Sequence, residues 1–368
     1  MTDEELMLDA IVEAINDAGL EKADIDGLAI GTMTLKDDSP AIAEHFGMEL
    51  NWSMKSDFGG ASGLISLFRA KESIEAGSVR AVVTVAGGNR ADMPWLQHDA
   101  SAPPNDYAHR SWILPYGYGG ANTFFGLIQQ RYMHEYDITL EQLGKISSTF
   151  RSHAQLNDAA LLREPLSVED YVNGRLVSDP IRFNDCVMRC AGAAAVVIGV
   201  EELAARSDHR PVHIGPYAER ISHQASKQTA DRIETGFVTI ADKIFERYGR
   251  DRMDFLQLYD DYPIAIVKTL EDLGFAPRGR GGKFIEEHDI SINGDLPINT
   301  GGGLLSVGQA AIGGGFVPIL EAVEQLRGEA GRRQLAKADV GLVTGIGLLA
   351  YGGNLAVTSG AIFGKEPL

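Results

Sequence analysis

The sequence has little cysteine and little positive charge. Two cysteines occur among its 368 residues, and 33 Lys and Arg are outnumbered by 51 Asp and Glu, which gives a formal net charge of −18 at pH 7. Two cysteines are too few for a disulfide framework, and the acidic surplus repels phosphate backbones and anionic lipid headgroups. The sequence also has neither a signal-peptide pattern nor an apolar run of membrane-spanning length. We therefore expect a cytoplasmic protein that binds neither nucleic acid nor membranes.

Helix and strand patterns alternate at the start of the chain. Hydrophobic residues make up 44% of the sequence, which is ordinary for a globular protein with a sizeable core. Apolar spacing and glycine stops predict a helix at 6–18, a strand at 25–30, a helix at 60–77 and a strand at 81–86. A helix followed by a buried strand favours a parallel sheet covered on both faces.

The same order returns late in the chain. A helix through Ile244 and Phe245 precedes a predicted strand at 255–259, and a glycine turn at 301–303 precedes a helix at 310–326 and a strand at 340–345. The segment AINDAGLEKADIDGLAIGT can be laid over KIFERYGRDRMDFLQLYDD with apolar and turn positions largely in register. This internal duplication predicts two similar halves, at 1–215 and 216–368, related by a pseudo-twofold axis.

A region at about 90–180 separates the repeated patterns and is predicted to be an inserted, irregular loop region. It is rich in aromatic residues, including Trp95, Trp112, Tyr116 and Tyr118. Insertions of that size usually cover a binding site or form an oligomer contact. The alternative is an ordinary covering excursion that does not touch substrate.

Four segments follow one another over nearly the whole chain: the first repeat AINDAGLEKADIDGLAIGT, then GGASGLISLFRAKESIEAGSVRAVVTVAGG, then RSHAQLNDAALLREPLSVEDYV with DPIRFNDCVMRCAGAAAVVIG, and last NTGGGLLSVGQAAIGGGFVPILEAVEQLRG. Together they resemble the thiolase superfamily, especially the sterol-carrier-protein type of thiolase and its archaeal relatives. The resemblance implies an α/β thiolase fold, with two pseudo-symmetric βαβ halves in a layered α-β-α-β-α arrangement. The family opens with a buried strand, whereas this sequence begins almost inside the first helix, so we expect either a truncation or a differently built first sheet.

The residues that perform thiolase chemistry are missing at the matching positions. A thiolase uses a cysteine thiolate at the N-terminus of a buried helix and a histidine that activates it. Aligning Ala61-Ser62-Gly63 with the family's Ala/Gly-Ser-Gly triplet places Gly60 at the nucleophile, and glycine cannot be acylated. The family's Gly-His-Pro motif reads Gly308-Gln309-Ala310, where the base is replaced by an amide.

Two further motifs have gained tyrosines. The motif after a buried strand of the second half reads Tyr259-Asp260-Asp261-Tyr262, and the segment before the last glycine pair reads Ala350-Tyr351-Gly352-Gly353. Random decay of a catalytic site more often leaves small or apolar residues. Each tyrosine could instead be a core residue with a satisfied hydroxyl, and the aspartates could cap a helix that starts near Pro263.

A pocket for an acyl-CoA without a nucleophile suits retro-aldol cleavage, which needs a base for the β-hydroxyl, donors for an enolate oxygen and an acid for the α-carbon. The pattern is similar to the thiolase-like aldolases of bacterial steroid side-chain degradation. We predict the catalytic residues Tyr259, Tyr351, Gln309 and Asp260 and the substrate-binding residues Gly60, Asp261, Gly302, Gly303, Gly352 and Gly353. At least one tyrosine must then have a pKa lowered from about 10, and Gln309 is expected at the oxyanion.

The same resemblance implies a substrate and partners. We expect a β-hydroxyacyl-CoA thioester with a bulky acyl group, for which a steroid is one candidate, cleaved to a ketone or aldehyde and a shorter acyl-CoA. The aromatic residues of the inserted region are expected to form a wall for that group. The family implies a homodimer formed through an edge strand of the first half. It also implies a small OB-fold and zinc-ribbon partner that completes a heterotetramer. No cofactor is expected on this chain, and zinc is expected only in the partner.

Other interpretations of the sequence remain open. The chain could be a non-catalytic, acyl-CoA-binding scaffold subunit of an acyltransferase complex, with tyrosines that only fill space. A thiolase with a relocated cysteine would need Cys186 or Cys190 in the pocket. The C-x₃-C spacing of these cysteines is followed by no second ligand cluster, so we predict no metal site. His153 is expected to be structural.

Overall fold

Two four-stranded sheets form the centre of the protein, with helices between and around them. The computed structural model describes residues 1–31, 39–89, 111, 114–117, 120–227, 231–347 and 354–368. The strands are β1 Gly27–Gly31, β2 Trp52–Ser56, β3 Ala81–Asn89, β4 Leu176–Ser178, β5 Ile181–Arg182, β6 Ala191–Gly199, β7 His213–Ile221, β8 Phe255–Gln257, β9 Val340–Gly347 and β10 Val357–Gly364. The helices are α1 Asp3–Asp17, α2 Ser39–Phe46, α3 Ser62–Glu75, α4 Gly120–Tyr136, α5 Leu140–Ala154, α6 Val168–Val172, α7 Glu201–Ala204, α8 Phe237–Phe245, α9 Pro263–Asp272, α10 Gly281–Glu287, α11 Gly303–Val307 and α12 Val317–Arg327.

Both sheets are mixed. The first has the order β2-β1-β3-β6, in which β1 is parallel to β2 and β3 while β6 is antiparallel to β3. The second has the order β7-β10-β9-β8, in which β8 and β9 are parallel and β10 is antiparallel to both of its neighbours. The expectation of a parallel sheet was therefore wrong for β6 and β10.

Equivalent aspartates show the duplication in atomic detail. The Asp26 carboxylate precedes β1 and accepts hydrogen bonds of 2.9 and 3.0 Å from the amide just before β3 and the first amide of β3. In the second half, Asp254 precedes β8 and accepts bonds of 2.8 and 3.1 Å from the amide just before β9 and the first amide of β9. The true register of the two halves is thus one residue away from the direct overlay of the repeated segments, because that overlay pairs Ile25 with Asp254.

The two halves differ at both sheet edges. In the first sheet β2 pairs with β1, whereas β8 is the edge strand of the second sheet. In the second sheet β7 pairs with β10, and all eight residues of β10 are buried. Across the described ranges no strand pairs with the matching edge of β6, whose residues are half-buried or exposed. Because β7 begins at His213 and belongs to the second sheet, the predicted division between residues 215 and 216 falls inside a strand and has to move ahead of it.

The central region is more regular than the sequence suggested. Helices α4 and α5 occupy much of the range predicted as an inserted loop, and α4 buries Phe124, Phe125 and Tyr132 in the same core as the second half. Tyr116 is 85% exposed and so is not part of an enclosed wall. Trp95, Trp112 and Tyr118 lie outside the described residues. None of the helices in the described part of the chain is both long and apolar enough to cross a membrane.

Helices α3 and α12 occupy the layer between the two sheets. Leu64 and Leu67 of α3 pack with Ile319 and Leu326 of α12 in one buried cluster. Burying a side chain of this size stabilises a fold by about 1.5 to 3 kcal/mol. The Ser62 hydroxyl at the start of α3 accepts a 2.9 Å hydrogen bond from the Phe58 amide, which closes the turn before the helix. The N-terminus of α3 is thereby held at the interface of the halves.

Candidate active site

Gly60 lies in the turn Gly59–Ala61 that leads into α3. A Cβ atom built on Gly60 would lie 2.1 Å from Cζ and 2.3 Å from Oη of Tyr259. Distances this short are not tolerated between non-bonded atoms, so only glycine fits while the phenol ring holds its place. The space that a side chain at the aligned nucleophile position would occupy is filled by Tyr259 from the other half.

The Tyr259 hydroxyl belongs to a three-residue polar cluster. Tyr259 follows β8, its amide donates to Thr344 Oγ1 at 2.9 Å, and its side chain is 1% exposed. Its Oη accepts a 2.7 Å hydrogen bond from Gln309 Nε2. The same Nε2 donates to Asp261 Oδ1 at 3.2 Å. The structure thus brings together three of the predicted site residues, and it places them beside a fourth, Gly60.

Burial keeps Tyr259 protonated. Loss of solvent is the largest influence and raises the pKa of Tyr259 well above 10, and the nearby Asp261 charge raises that pKa further. The hydrogen bond from Gln309 opposes these effects but is outweighed. The expectation of a lowered tyrosine pKa is therefore wrong for Tyr259. Tyr351, Gly352 and Gly353 lie outside the described residues.

The backbone around Gln309 is held by the segment that carries the second cysteine. The Gln309 amide donates to the Met188 carbonyl at 2.8 Å, and the Cys190 amide donates to the Gln309 carbonyl at 3.3 Å. Gly308, just before it, has φ +103°, a conformation that favours glycine. Residues 188–190 therefore help to aim the Gln309 side chain, a role that sequence reasoning missed because the contact is purely between backbones.

Asp260 points away from the cluster and caps a helix. Its two carboxylate oxygens accept the amides of Leu304, at 2.8 Å, and Leu305, at 3.2 Å, at the start of α11. Burial raises the pKa of Asp260 well above its usual range, and these two amides oppose the change. The capping alternative thus has structural support, although the capped helix is α11 and not the helix that begins at Pro263. Both carboxylate oxygens of Asp260 are therefore engaged by α11.

The glycine turn before α11 is closely packed against other protein atoms. Gly302 has φ +99°, and a Cβ there would lie 2.7 Å from Ala154 Cβ. Gly303 has φ +60°, and a Cβ there would lie 2.0 Å from Asp260 Oδ2. Both glycines are buried and their nearest neighbours are protein atoms. Their predicted contact with substrate stays a prediction.

Neither cysteine takes the nucleophile's place. The Cys186 sulfur lies 3.4 Å from both Asn122 Oδ1 and the Arg182 carbonyl oxygen, either of which can accept its single S–H, and burial raises the pKa of Cys186 to about 12. Burial also raises the pKa of Cys190. Both effects disfavour the reactive thiolate. Within the described residues, no group of three or more His, Cys, Asp or Glu side chains is arranged to hold a metal ion.

His153 supports the glycine turn and has no access to the cluster. It is 2% exposed, and its Nδ1 lies 3.0 Å from the Asn299 carbonyl oxygen. Burial lowers the pKa of His153 to about 4. The ring is therefore neutral near pH 7, as expected for a structural histidine.

The pKa of His153 predicts a loss of stability in mild acid. Because the folded-state pKa is about 4 and the unfolded one about 6.5, only the unfolded chain takes up this proton between those values. Stability is then lost as pH falls from 6.5 towards 4, by an amount on the order of 3 kcal/mol when complete. Urea unfolding of His153→Asn at pH 7 and pH 5 should show a smaller loss than the wild type. The exposed His134→Asn should match the wild type, and an unchanged loss in His153→Asn would contradict the assignment.

Comparisons with known proteins agree with this geometry. A family model described as thiolase C-terminal domain-like matches residues 218–360. An acetyl-CoA acetyltransferase of Methanothermobacter thermautotrophicus is 30% identical over 96% of this chain and 93% of its own length. A steroid side-chain-cleaving aldolase of Thermomonospora curvata is 30% identical over 98% of this chain and 93% of its own length. A solved structure of an Ltp2-ChsH2(DUF35) aldolase has a TM-score of 0.85 and 26% identity, over 99% of this chain and 93% of that one.

The chain belongs to the thiolase superfamily, and its predicted α/β thiolase fold is confirmed. Within that superfamily it is a thiolase-fold carbon–carbon lyase, similar to the aldolases. The site agrees with this class because Gly60 offers no sulfur for acyl transfer, whereas the thiolase reaction requires one.

Proposed function

We propose that this lyase performs retro-aldol cleavage of a β-hydroxyacyl-CoA thioester, giving a ketone or aldehyde and a shorter acyl-CoA. The observation that carries the proposal is the Tyr259 hydroxyl, which stands where the thiolase nucleophile would begin and is hydrogen-bonded to Gln309. An acid–base group replaces a nucleophile at the reacting position. Carbon–carbon cleavage without an acyl-enzyme needs such a group.

Gln309 is better suited to organise the cluster than to hold an enolate. Its Nε2 lies within hydrogen-bond distance of both Tyr259 Oη and Asp261 Oδ1, so both of its N–H groups have protein acceptors. Binding an oxyanion would require one of these bonds to be given up. We therefore propose that Gln309 positions Tyr259 and Asp261, and its oxyanion role remains a prediction. The acid–base role of Tyr351 likewise remains a prediction.

The acyl group is proposed to be bulky and apolar, and a steroid side chain is one candidate. The name of the Thermomonospora curvata relative specifies steroid side-chain cleavage. Relatives of this kind act on CoA thioesters, which fits a fold shared with an acetyl-CoA acetyltransferase. The β-hydroxyl is required by the chemistry, because its proton must leave as the carbonyl product forms.

We also propose that the working enzyme is a homodimer that binds a small partner protein. The similar solved aldolase is named as a complex with a DUF35 protein. The family resemblance further suggests that the partner has an OB-fold and carries zinc, whereas this chain binds no cofactor. Co-expression with a DUF35 protein encoded nearby, followed by size-exclusion chromatography with light scattering, tests the assembly.

The reaction is tested with purified protein, alone and with that partner. A β-hydroxyacyl-CoA with a branched, apolar acyl chain should be converted to a carbonyl product and a shorter acyl-CoA without added free CoA. Mass spectrometry of both products is the measurement. A matched 3-oxoacyl-CoA with free CoA should give no thiolysis. Thiolysis, or cleavage that depends on free CoA, would contradict the proposal.

One observation favours the scaffold alternative. Tyr259 fills the space above Gly60 so closely that it could serve only as packing. Under that alternative the protein would bind acyl-CoA, measured by isothermal titration calorimetry, yet give no cleavage with or without its partner. The same assay therefore separates the two functions.

A further inference from the structure

We propose that Asp261 receives the proton that Tyr259 gives up, so that the two residues form a relay from the substrate's β-hydroxyl into the protein. This inference rests on the proposed retro-aldol reaction and adds the destination of the proton. It also reverses the roles predicted for the neighbouring aspartates, because Asp260 was expected to act in catalysis and Asp261 to bind substrate.

The direction of the hydrogen bonds is set by Gln309. Its amide nitrogen can only donate, and it lies 2.7 Å from Tyr259 Oη and 3.2 Å from Asp261 Oδ1. The opposite amide orientation would place a carbonyl oxygen against the carboxylate and is disfavoured by repulsion. Tyr259 Oη therefore accepts from Gln309, and its own proton has to point to another acceptor.

Asp261 is that acceptor. Its Oδ1 and Tyr259 Oη are bound to the same nitrogen of Gln309, at 3.2 and 2.7 Å, which holds the carboxylate beside the hydroxyl. An ionised carboxylate can only accept a hydrogen bond. The phenol oxygen has a second lone pair beyond the one used by Gln309, and this lone pair can accept a hydrogen bond from a substrate hydroxyl. Tyr259 can thus accept a proton from substrate while it donates its own to Asp261.

The neighbouring Asp260 cannot take this part. Both of its oxygens accept backbone amides of α11, and it is completely buried. Asp261 is half-buried and has its Oδ1 in the cluster. The two neighbouring carboxylates are thus held by different parts of the chain, Asp261 by Gln309 and Asp260 by α11.

The relay also explains how a strongly buried tyrosine can work in this reaction. Burial makes a free phenolate too costly to accumulate, since it raises the pKa of Tyr259 well above 10. In a relay the phenol loses one proton as it gains another. The negative charge then passes from Asp261 to the developing enolate and never rests on the phenol oxygen.

The step balances without an oxidant, reductant or co-reactant. The β-hydroxyl proton moves to Tyr259 Oη, and the Tyr259 proton moves to Asp261. The C–O bond becomes a carbonyl, the Cα–Cβ bond breaks, and its electron pair becomes the thioester enolate. Return of one proton to the α-carbon, with Asp261 ionised again, completes the cycle.

The test compares Asp261→Asn and Asp261→Ala with wild type, using the β-hydroxyacyl-CoA of the function assay. Asp261→Asn should lower kcat about 100-fold with little change in KM, because general acid–base groups contribute factors of this order. Added formate should raise the kcat of Asp261→Ala at least about tenfold, since it replaces the missing carboxylate. Asp261→Glu should stay within about tenfold of wild type.

Controls separate the relay from a structural effect. Formate should not restore Tyr259→Phe, which lacks the hydroxyl, or Asp260→Asn, whose defect is a lost helix cap. In the wild type, kcat plotted against the deuterium fraction of the solvent should be curved, because two protons move together, and this measurement needs no variant.

The outcomes are distinguishable. A wild type that does not cleave the substrate would overturn the proposed function and the relay together. An active wild type with a straight deuterium plot would overturn the relay alone, as would an Asp261→Asn variant that keeps more than half of the activity or an Asp261→Ala variant that formate does not rescue.

Discussion

Tyr259→Phe is expected to lower kcat for β-hydroxyacyl-CoA cleavage by about 1000-fold while binding of the CoA ester stays within about threefold. Phenylalanine keeps the ring that packs on Gly60, so the variant should fold, but it removes the oxygen that accepts from Gln309. Steady-state kinetics measure the loss, and calorimetric titration with a non-cleavable CoA ester measures binding.

Tyr262→Phe is the matched control for this variant. Tyr262 is three residues away and 4% exposed, and its hydroxyl donates to Asn122 Oδ1, which is not in the cluster. Losing that bond should cost about 1 kcal/mol of stability and leave kcat within about threefold of the wild-type value. Equal kcat values for the two variants would remove Tyr259 from the reaction.

Gly60→Ala is expected to destabilise the fold by about 3 kcal/mol and to abolish cleavage as completely as Tyr259→Phe does. The added methyl would lie 2.1 Å from Tyr259 Cζ, so the ring has to leave its place. The movement would also break the bond to Gln309 and take the hydroxyl away from substrate. Urea unfolding measures the stability, and the cleavage assay measures the activity.

A double-mutant cycle isolates the contact between these two residues. Combined with Tyr259→Ala, which removes the ring, Gly60→Ala should become less harmful to stability by at least about 1 kcal/mol, because contacting residues are not additive. Gly126→Ala on α4 is the control, since a methyl there would lie 3.4 Å or more from any neighbour and should be neutral or slightly stabilising. Additive effects at Gly60 and Tyr259 would mean that the ring does not occupy this space.

Several features could be predicted from the sequence because they depend on local pattern. Apolar spacing and glycine stops located α1, α3, β3 and β9 to within a few residues. The central region was wrongly predicted to be irregular, because its sequence does not show which surface a helix there would pack against. Phe124 and Tyr132 are buried only because α4 packs on the second half.

The sequence by itself determined that the protein is a duplicated α/β chain with a thiolase resemblance and that position 60 holds no nucleophile, because residue types and their order are enough for those conclusions. The tertiary structure alone decided that Tyr259 fills the space above Gly60 and that Gln309 joins it to Asp261, residues separated by up to 249 positions in the chain. It also decided which of two adjacent aspartates faces the cluster and which caps α11. The physical reason is that burial, hydrogen-bond direction and pKa depend on atoms that only folding brings within a few ångströms.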